Sequence, residues 1–302
     1  MQTKPELTII ILNYNTRQLT LNCLASLAKV KNEISLEIIL SDNGSTDGSV
    51  EAIAKKYPEV RIVENNANLG FAKGNNAARK FAHGKYILFL NTDTIVDKAV
   101  LVRTVQYLKD HPDVGALTCK LVLADGSLDK DARRAFPTPW VSLTHLVLHL
   151  DKLFPKSRLF AKYWYGYASP DLIQEVDVIQ GSYFLAPKKL LDEVGWFDEA
   201  YFLDGEDIDL CWKIRKLGYK IVYYPEVHIL HLKGATKGKN RKTQKSTASL
   251  KEKMKFRMSG VNSMEIFYRK RMWQQYPLIL NVLVLLGIRF IKLVRIIKLI
   301  FQ

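Results

Sequence analysis

Between residues 7 and 121, short runs of β-branched and aliphatic residues alternate with segments of helical periodicity. The runs predict strands near residues 7–13, 36–41, 60–64, 86–90 and 114–121. Further strand signals lie at 177–186 and 220–224, and a helix is predicted to begin near residue 207. This alternation predicts βαβ units, and therefore an α/β fold whose parallel sheet carries helices on both faces.

Four of the predicted strands end in amide, carboxylate and glycine residues. These clusters are NYN at 13–15, SDNGSTDGS at 41–49, ENNANLGFAKGNN at 64–76 and LNTDT at 90–94. Asn, Asp and Gly are common turn formers, so an ordinary turn explains any one cluster. Because open parallel sheets bind ligands beyond the carboxyl ends of their strands, four clusters in succession favour a site at that edge.

A later segment, YFLDGEDIDLCWKIR at residues 201–215, places four carboxylates within six positions: Asp204, Glu206, Asp207 and Asp209. One interpretation is structural, because Asp204 is spaced from Asp207 as in a helix cap and acids complement the first turn of a helix. Helical spacing puts positions 204 and 207 on one face, whereas 206 and 209 point elsewhere. The other interpretation is a functional carboxylate at position 207.

The net charge of +15 is concentrated in the C-terminal part of the 302-residue chain. Residues 237–302 hold 16 Lys and Arg against 2 Asp and Glu, whereas residues 1–236 are nearly neutral. A hydrophobic content of 48% excludes a disordered protein. We therefore expect one globular domain over 1–236, followed over 237–302 by a basic loop and amphipathic helices.

The last 25 residues, 278–302, combine 18 apolar residues with four spaced cations, Arg289, Lys292, Arg295 and Lys298. A spanning helix needs about 20 mainly apolar residues, and each central cation costs roughly 3 kcal/mol. The pattern instead favours a helix lying in the plane of an anionic membrane surface. Nucleic acid is not expected as a partner, because the segment is continuously aliphatic. Packing against the rest of the protein or a second subunit is the remaining alternative, and the oligomeric state stays unknown.

The cysteines and histidines carry weaker signals. Cys23, Cys119 and Cys211 lie far apart in apolar patterns, which predicts buried free thiols in a reducing compartment. The apolar run LTIIIL near the N-terminus is too short for a signal peptide, so we expect no secretion. His145 and His149 have a spacing that metal sites use, but no glutamate adjoins them and an ordinary amphipathic helix is favoured.

Seven segments occur in the following order: IIILNYN, SDNGSTDGS, NLGFAKGNN, FLNTDT, ARRAFPT, VIQGSYFLAPKKLLDEVGWFDEAYFLDGEDIDLCWKIRKLGY and HILHLKG. Over about residues 7–236 this ordered set resembles the family 2 glycosyltransferases, most closely the rhamnosyltransferase-like branch that builds bacterial surface polysaccharides. The resemblance implies a GT-A fold, in which a Rossmann-like sheet binds a nucleotide diphosphate-sugar and usually a divalent metal. It also implies an inverting hexosyltransferase.

The resemblance assigns a nucleotide-sugar site to eight residues: Asn13, Asn15, Asp42, Lys73, Asn75, Asn76, Asn91 and Asp93. The two asparagines of NYN would contribute to the nucleoside pocket. Asp42 would read the pyrimidine base, because a carboxylate can accept the N3 hydrogen of uracil or thymine. Lys73 would add positive charge along the nucleotide. The alternative is that Lys73 is a solvated loop residue with no contact to the nucleotide. The implied donor is a dTDP- or UDP-sugar, and dTDP-rhamnose is the first candidate.

NTDT occupies the place of the family's Asp-x-Asp metal motif. Asp93 matches the second Asp of that motif, and Asn91 occupies the position of the first Asp. His231 matches the histidine that completes the metal shell in related enzymes. The implied metal is Mn²⁺ or Mg²⁺, and an imidazole suits Mn²⁺ better. The alternative for His231 is a partly buried structural histidine.

The resemblance makes Asp207 the catalytic base that takes the proton of the acceptor hydroxyl, in a single displacement with inversion. Glu206 would contact the acceptor or support the base, while Asp204 and Asp209 would cap or support the helix. The acceptor side would include Gly181, Trp196 and Asp198, and the alternative for Trp196 is a core position.

Together these features predict a peripheral enzyme at the cytoplasmic face of the cell membrane that adds a sugar to a lipid-linked or polysaccharide acceptor. A sugar nucleotidyltransferase is an alternative, but LNYNTRQLT lacks the Gly-rich basic loop that such enzymes carry after the first strand. A catalytically inactive binding protein is a further alternative, against which the retained Asp93, Asp207 and His231 argue.

Overall fold

A computed structural model of the chain describes residues 4–30, 33–233 and 250–300. The strands in this part are β1 (Leu7–Asn13), β2 (Leu36–Asp42), β3 (Arg61–Glu64), β4 (Tyr86–Asn91), β5 (Thr94–Ile95), β6 (Val114–Leu123), β7 (Gln174–Glu175), β8 (Tyr183–Pro187) and β9 (Lys220–His231). The helices are α1 (Arg17–Ala28), α2 (Ser49–Lys56), α3 (Phe71–Asn76), α4 (Lys98–Asp110), α5 (Pro139–Ser142), α6 (Leu150–Leu153), α7 (Lys188–Val194), α8 (Glu206–Lys216), α9 (Leu250–Phe267) and α10 (Leu278–Ile300).

The strands form one sheet in the order β3-β2-β1-β4-β8-β6-β9-β5, with β7 paired to β9. β1 to β4 pair in parallel, as does β6 with β9, whereas β8 runs antiparallel between β4 and β6. The predicted α/β fold with a mostly parallel sheet is confirmed. The sequence does not predict the antiparallel direction of β8, because the periodicity of a short buried run such as YFLAP is the same in a parallel and an antiparallel strand.

The middle of the sheet is buried on both faces, which explains the continuous apolar sequence of β1 and β4. Ile9, Ile10 and Ile11 have no solvent exposure, and Phe89 of β4 is equally buried. After β1 the chain runs outward to β2 and β3, then returns to place β4 on the other side of β1. The β1–β4 boundary is therefore a switch point, where open α/β sheets bind their ligands.

Strand β9 is longer than the sequence predicts. The prediction ends at residue 224, before Pro225, but the strand continues to His231 after a register shift opposite Cys119 and Lys120. A proline normally argues against a strand interior, and here the irregularity accommodates it. The extension pairs Thr94 of β5 with His231, so the histidine lies beside the strand end that carries the NTDT sequence.

The amphipathic helix expected through His145 and His149 is wrong. A π-helical turn at Leu143–Val147 follows α5, and His149 adopts a left-handed conformation with φ 49° before α6. The His145 imidazole contacts a carboxylate oxygen of Asp151 at 2.9 Å and stacks on Tyr163. The two histidines therefore do not share a helix face.

The C-terminal helices share an apolar cluster with the segment before α8. Its buried members are Tyr201, Val261, Phe267, Tyr268, Met272 and Ile288. Asn281 and Ile288 of α10 face this cluster, and Asn281 accepts a hydrogen bond from the Tyr268 hydroxyl at 2.7 Å. Among the described helices, none combines the length and apolarity needed to cross a bilayer. Residues 237–249 of the predicted basic loop lie outside the described residues.

The start of α8 is fixed by an ion pair rather than by a carboxylate cap. Its N-cap is Gly205, with φ 93° and no side-chain cap, so the expected capping role of Asp204 and Asp207 is wrong. Asp209 is fully buried and receives two hydrogen bonds from the Arg271 guanidinium, at 2.6 and 3.0 Å. This ion pair ties α8 to the C-terminal helices.

All three cysteines are buried and unpaired, as predicted. Burial raises the pKa of the Cys23 thiol to about 12, because desolvation disfavours the thiolate. Burial raises the pKa values of Cys119 and Cys211 in the same direction. Since the thiolate is the reactive form, these side chains act as small apolar core residues.

Replacing Arg271 by methionine should lower the free energy of unfolding by roughly 3–5 kcal/mol, because it leaves the buried Asp209 carboxylate unpaired. Chemical denaturation measures the change. Lys270→Met is the matched control, since Lys270 pairs with Asp198 at the surface and its loss should cost at most about 1 kcal/mol. Equal effects of the two substitutions would contradict the structural role of the Arg271–Asp209 pair.

Candidate active site

A cleft opens at the carboxyl ends of β1 and β4. It is bounded by the strand ends, the 68–71 loop, the 180–182 segment, the 202–207 loop and α9. Its lining residues are Leu12, Tyr14, Asn43, Asn68, Gly70, Phe71, Asn91, Thr92, Gln180, Gly181, Ser182, Phe202, Leu203, Asp204, Glu206, Asp207 and Phe256. The predicted sheet edge therefore does carry a cleft, and the segment around the four acids closes it on the far side.

Asp42 and Asn13 hold the loop after β2 instead of facing the cleft. The Asp42 carboxylate is buried and accepts hydrogen bonds from the Asn13 amide, the Ser45 hydroxyl and the Gly44 and Ser45 backbone N–H groups, at 2.6–3.0 Å. A carboxylate has about four acceptor positions, so these contacts occupy it. The geometry does not support the predicted direct contact between Asp42 and a nucleotide base.

The neighbours of these residues line the cleft. Successive side chains at a strand end point to opposite sides, so Tyr14 and Asn43 face the cleft where Asn13 and Asp42 do not. Asn15, with φ 52°, accepts a hydrogen bond from the Thr46 backbone at 2.7 Å and so braces the same loop. At the predicted strand ends, the side chains that line the cleft are therefore the neighbours of Asn13 and Asp42.

The three residues predicted from α3 lie outside the cleft lining. Asn75 is buried and donates to the Phe71 carbonyl at 2.9 Å, Asn76 donates to the Phe197 carbonyl at 2.9 Å, and Lys73 is exposed. Gly70, which precedes α3, lines the cleft instead. Its φ is 82°, and a Cβ at this position would lie 2.2 Å from the Phe202 carbonyl oxygen, so a side chain is excluded.

Asn91, Ser182 and His231 form a polar row at the end of β4. Asn91 donates to the Ser182 hydroxyl at 2.9 Å, and that hydroxyl lies 3.4 Å from His231 Nε2. The same Nε2 is 3.4 Å from Asp93 Oδ1, a charge contact rather than a hydrogen bond. Asp93 Oδ1 is buried and accepts no hydrogen bond from any described residue. Asp93 and His231 are therefore brought together, as the sequence expectation required.

The other face of His231 is held by Asp129, which accepts from Nδ1 at 2.8 Å. Burial disfavours the imidazolium, but the hydrogen bond to Asp129 and the negative charges of Asp93 and Asp129 outweigh it and raise the pKa of His231 to about 9. Burial also disfavours the charged form of Asp129, but His231 and Lys233 lower the pKa of its carboxyl to about 2. Lys233 contacts Asp129 at 2.6 Å.

This arrangement fits a divalent cation. An unsatisfied carboxylate oxygen beside an imidazole whose second nitrogen is held by a carboxylate is the usual donor set of a histidine metal site. Among the residues described, no cluster of three or more His, Cys, Asp and Glu side chains could hold a metal ion. Asp93 and His231 would thus be two protein ligands, and substrate phosphates would complete the shell, which is normal for hard cations.

On the opposite wall, Asp207 is paired with a residue that sequence reasoning missed. Arg134 donates to Asp207 Oδ2 at 2.5 Å, and both side chains are about nine-tenths buried, with 11% and 8% exposure. Burial disfavours the charged guanidinium, but the negative charge of Asp207 outweighs it and raises the pKa of Arg134. The signal was present in the ARRAFPT segment, and only the fold connects it to position 207.

The remaining predicted residues divide between the cleft and the core. Glu206 and Gly181 line the cleft, and Glu206 therefore does not point away from Asp207 as helical spacing suggested. Trp196 is fully buried against Phe89, so it is a core residue and not an acceptor contact. Asp198 contacts Lys270 at 2.6 Å and links its loop to the C-terminal helices.

Comparison with known proteins places this architecture among glycosyltransferases of the GT-A type. The solved mannosyltransferase PcManGT from Pyrobaculum calidifontis, in complex with GDP-Man and Mn²⁺, superposes with a TM-score of 0.56 at 19% identity. The alignment covers 89% of this chain and 66% of the mannosyltransferase. At this identity the likeness shows the fold alone.

The chain belongs to glycosyl transferase family 2, whose model matches residues 8–163, and a model of glycosyl transferase family group 2 matches residues 86–297. A relative is the N-acetylglucosaminyl-diphospho-decaprenol L-rhamnosyltransferase of Mycobacterium tuberculosis, 29% identical over 72% of this chain and 73% of the relative. Another is the rhamnosyltransferase WbbL of Escherichia coli, 28% identical over 54% of this chain and 60% of the relative. The predicted family and its rhamnosyltransferase-like branch are confirmed.

If His231 is a metal ligand, apparent Mn²⁺ affinity should rise about tenfold between about pH 7 and pH 8, because the imidazole must lose its proton and its pKa is about 9. Titration of Mn²⁺ by electron paramagnetic resonance, with saturating nucleotide, measures this. His231→Gln should bind more weakly and lose this steep dependence. A wild-type affinity that does not change with pH would exclude His231 as a ligand.

Proposed function

We propose that the chain transfers a sugar from a dTDP- or UDP-sugar to a lipid-linked or polysaccharide acceptor, with inversion at the anomeric carbon. One observation carries the proposal. Asp207 and Ser182 line one cleft, and the Ser182 hydroxyl lies 3.4 Å from His231 Nε2, next to Asp93. Asp207 would act as general base in this cleft, and Asp93 and His231 would bind the diphosphate next to it, as a displacement between two substrates requires.

The donor nucleotide would lie over the ends of β1 and β2. Tyr14 and Asn43 are the side chains that reach the cleft there, and Asn13, Asn15 and Asp42 would hold their loops rigid. Similarity to the mycobacterial rhamnosyltransferase supports dTDP-rhamnose as the first candidate donor. The proposed contribution of Asp42 is thus indirect, because its four hydrogen bonds shape the loop that carries Asn43.

Asp93 and His231 would hold Mn²⁺ or Mg²⁺, with Asn91 beside them. A bound divalent cation stabilises the charge of a departing diphosphate. Asp129 would orient His231 so that Nε2 faces Asp93, since its hydrogen bond to Nδ1 fixes the ring. Lys233 Nζ lies 2.6 Å from Asp129 Oδ1. This contact would balance the charge of Asp129 and hold its carboxylate on the Nδ1 side of the His231 imidazole.

Asp207 would accept the proton of the acceptor hydroxyl as that oxygen attacks the sugar. Arg134 would hold the carboxylate in a fixed orientation, because its guanidinium donates a hydrogen bond to Asp207 Oδ2 at 2.5 Å. The proton becomes acidic as the oxygen bonds to the oxocarbenium-like carbon, so a weak base suffices late in the step. Glu206 and Gly181 would border the acceptor hydroxyl.

The acceptor would reach the cleft from the cytoplasmic face of the cell membrane, with the enzyme held peripherally by α10. Asn281 and Ile288 face α9, whereas the opposite side of α10 exposes an aliphatic stripe that includes Ile279, Leu283 and Phe290, at 78%, 59% and 65% exposure. The exposed Arg289 flanks this stripe. Buried apolar area and attraction to anionic lipids are the two contributions that bind such a helix in a membrane interface.

Asp207→Asn should reduce transfer by about 10²- to 10⁴-fold while leaving nucleotide binding unchanged, because general-base catalysis contributes on that order. Transfer is measured from product formation and nucleotide binding by calorimetry. Thermal melting checks that the variant folds, since the substitution weakens the Arg134 pair. Asp110→Asn, at the exposed end of α4, is the matched control. Near-normal turnover in Asp207→Asn would remove Asp207 as the base.

A panel of nucleotide sugars incubated with Mn²⁺ and a membrane extract containing lipid-linked glycans tests the function itself. We expect dTDP-rhamnose to give a product whose mass increases by one deoxyhexose. Formation of a new nucleotide sugar from a sugar phosphate would instead support the nucleotidyltransferase alternative. Donor binding with neither transfer nor hydrolysis of any donor would support an inactive binding protein.

A further inference from the structure

Exposed large apolar side chains are concentrated in two segments of the described chain. One is the outer stripe of α10. The other is residues 140–159, here called the apolar platform, which follows the ARRAFPT segment. Its exposed apolar members are Trp140, Leu143, Leu146, Val147, Leu148, Leu153, Phe154 and Leu159. Such a concentration marks an interaction surface, because soluble proteins rarely expose contiguous apolar patches of this kind.

The apolar platform is held rigidly enough to present these side chains. The Thr138 side chain caps α5 by accepting from the Val141 backbone at 3.3 Å. His145 is buried beneath the platform, where it contacts Asp151 at 2.9 Å and stacks on Tyr163. The polar groups therefore turn inward, and the outward face carries Leu153 and Phe154 at 70% and 51% exposure.

The charged side chains of the platform indicate which kind of surface it would bind. Lys152, Lys156 and Arg158 are exposed beside the apolar side chains. Asp151 is the acid of this segment, and its carboxylate is engaged by His145. The outward face is thus apolar and cationic, the combination that binds an anionic lipid surface. A second copy of the platform would bring like charges together, which disfavours self-association through it.

The platform is connected along the chain to the Arg134–Asp207 pair. It begins six residues after Arg134, the partner of Asp207. The intervening segment is anchored just beyond the platform, because the Ala135 backbone donates to the Tyr163 carbonyl at 2.8 Å. A membrane that contacts the platform would therefore be coupled to the Arg134–Asp207 pair through this segment.

We infer that the apolar platform is a second membrane-docking surface, which binds the anionic lipid bilayer together with α10 and sets the orientation of the cleft relative to it. The inference rests on the proposed peripheral location of the enzyme. Two separated membrane contacts would fix the orientation of the protein on the bilayer. With α10 alone, the catalytic domain could rotate about the axis of that helix.

The test uses a polarity-sensitive nitrobenzoxadiazole label on single introduced cysteines, because the three native cysteines are buried. The labelled variants of the full chain are Leu153→Cys on the platform, Ile279→Cys on α10 and Ala54→Cys on α2. Vesicles of equimolar phosphatidylcholine and phosphatidylglycerol should shift the emission at positions 153 and 279 to the blue and protect both from iodide. Position 54 should remain accessible to iodide.

The outcomes separate the two proposals. Insertion at position 279 with position 153 still in water would overturn the platform inference and leave the role of α10 intact. No insertion at either position would contradict the proposed peripheral location itself, and the platform inference with it. A blue shift at position 153 that grows with protein concentration in the absence of vesicles would identify a second copy as the occupant, and would likewise overturn the inference.

A charge series gives a second, independent readout. Replacing Lys152, Lys156 and Arg158 by glutamine should weaken sedimentation with these vesicles by about a hundredfold, since each cation near an anionic leaflet contributes about a fivefold factor. The matched control replaces Lys55, Lys56 and Lys80 by glutamine, three exposed cations that lie outside the platform. Equal losses in the two triple variants would mean that net charge, and not the platform, governs binding.

Discussion

Two buried ion pairs at the start of α8 hold the molecule's functional parts together. Asp207 is paired with Arg134, which follows β6, and Asp209 is paired with Arg271, which lies between the C-terminal helices. A buried carboxylate is costly without a partner, so α8 is stable in this position only when both arginines are present. The wall of the cleft opposite the strand ends therefore depends on contacts with two remote segments.

This dependence makes the C-terminal helices part of the cleft. Phe256 of α9 lines it, and the Ser259 hydroxyl accepts from the Leu203 backbone at 3.1 Å, which supports the loop that carries the acids. The second of these helices, α10, bears the exposed aliphatic stripe. The charge and hydropathy pattern of the C-terminal segment suggests a separate appendage, but in the fold its helix α9 forms part of the wall of the cleft.

The candidate metal centre shows why some sequence expectations hold and others do not. Asp93 and His231 come together because β9 continues past Pro225 and pairs with β5, a continuation that local strand signals do not reveal. Asn13 and Asp42 were predicted to face the ligand, but they bond to one another and brace the loop. Motif positions identify a strand end, whereas the side that each side chain faces depends on the register and packing of the neighbouring strand.

The sequence by itself determined the alternation of strands and helices, the polar edge of the sheet and the apolar, basic character of the C-terminal helix. Those properties follow from local periodicity and composition. Only the tertiary structure decided the antiparallel direction of β8, the partners of Asp207 and Asp209, and the core position of Trp196. The reason is physical: a buried charge is stabilised by whichever opposite charge the packing brings within a few ångströms, and these partners lie 73 and 62 residues away along the chain.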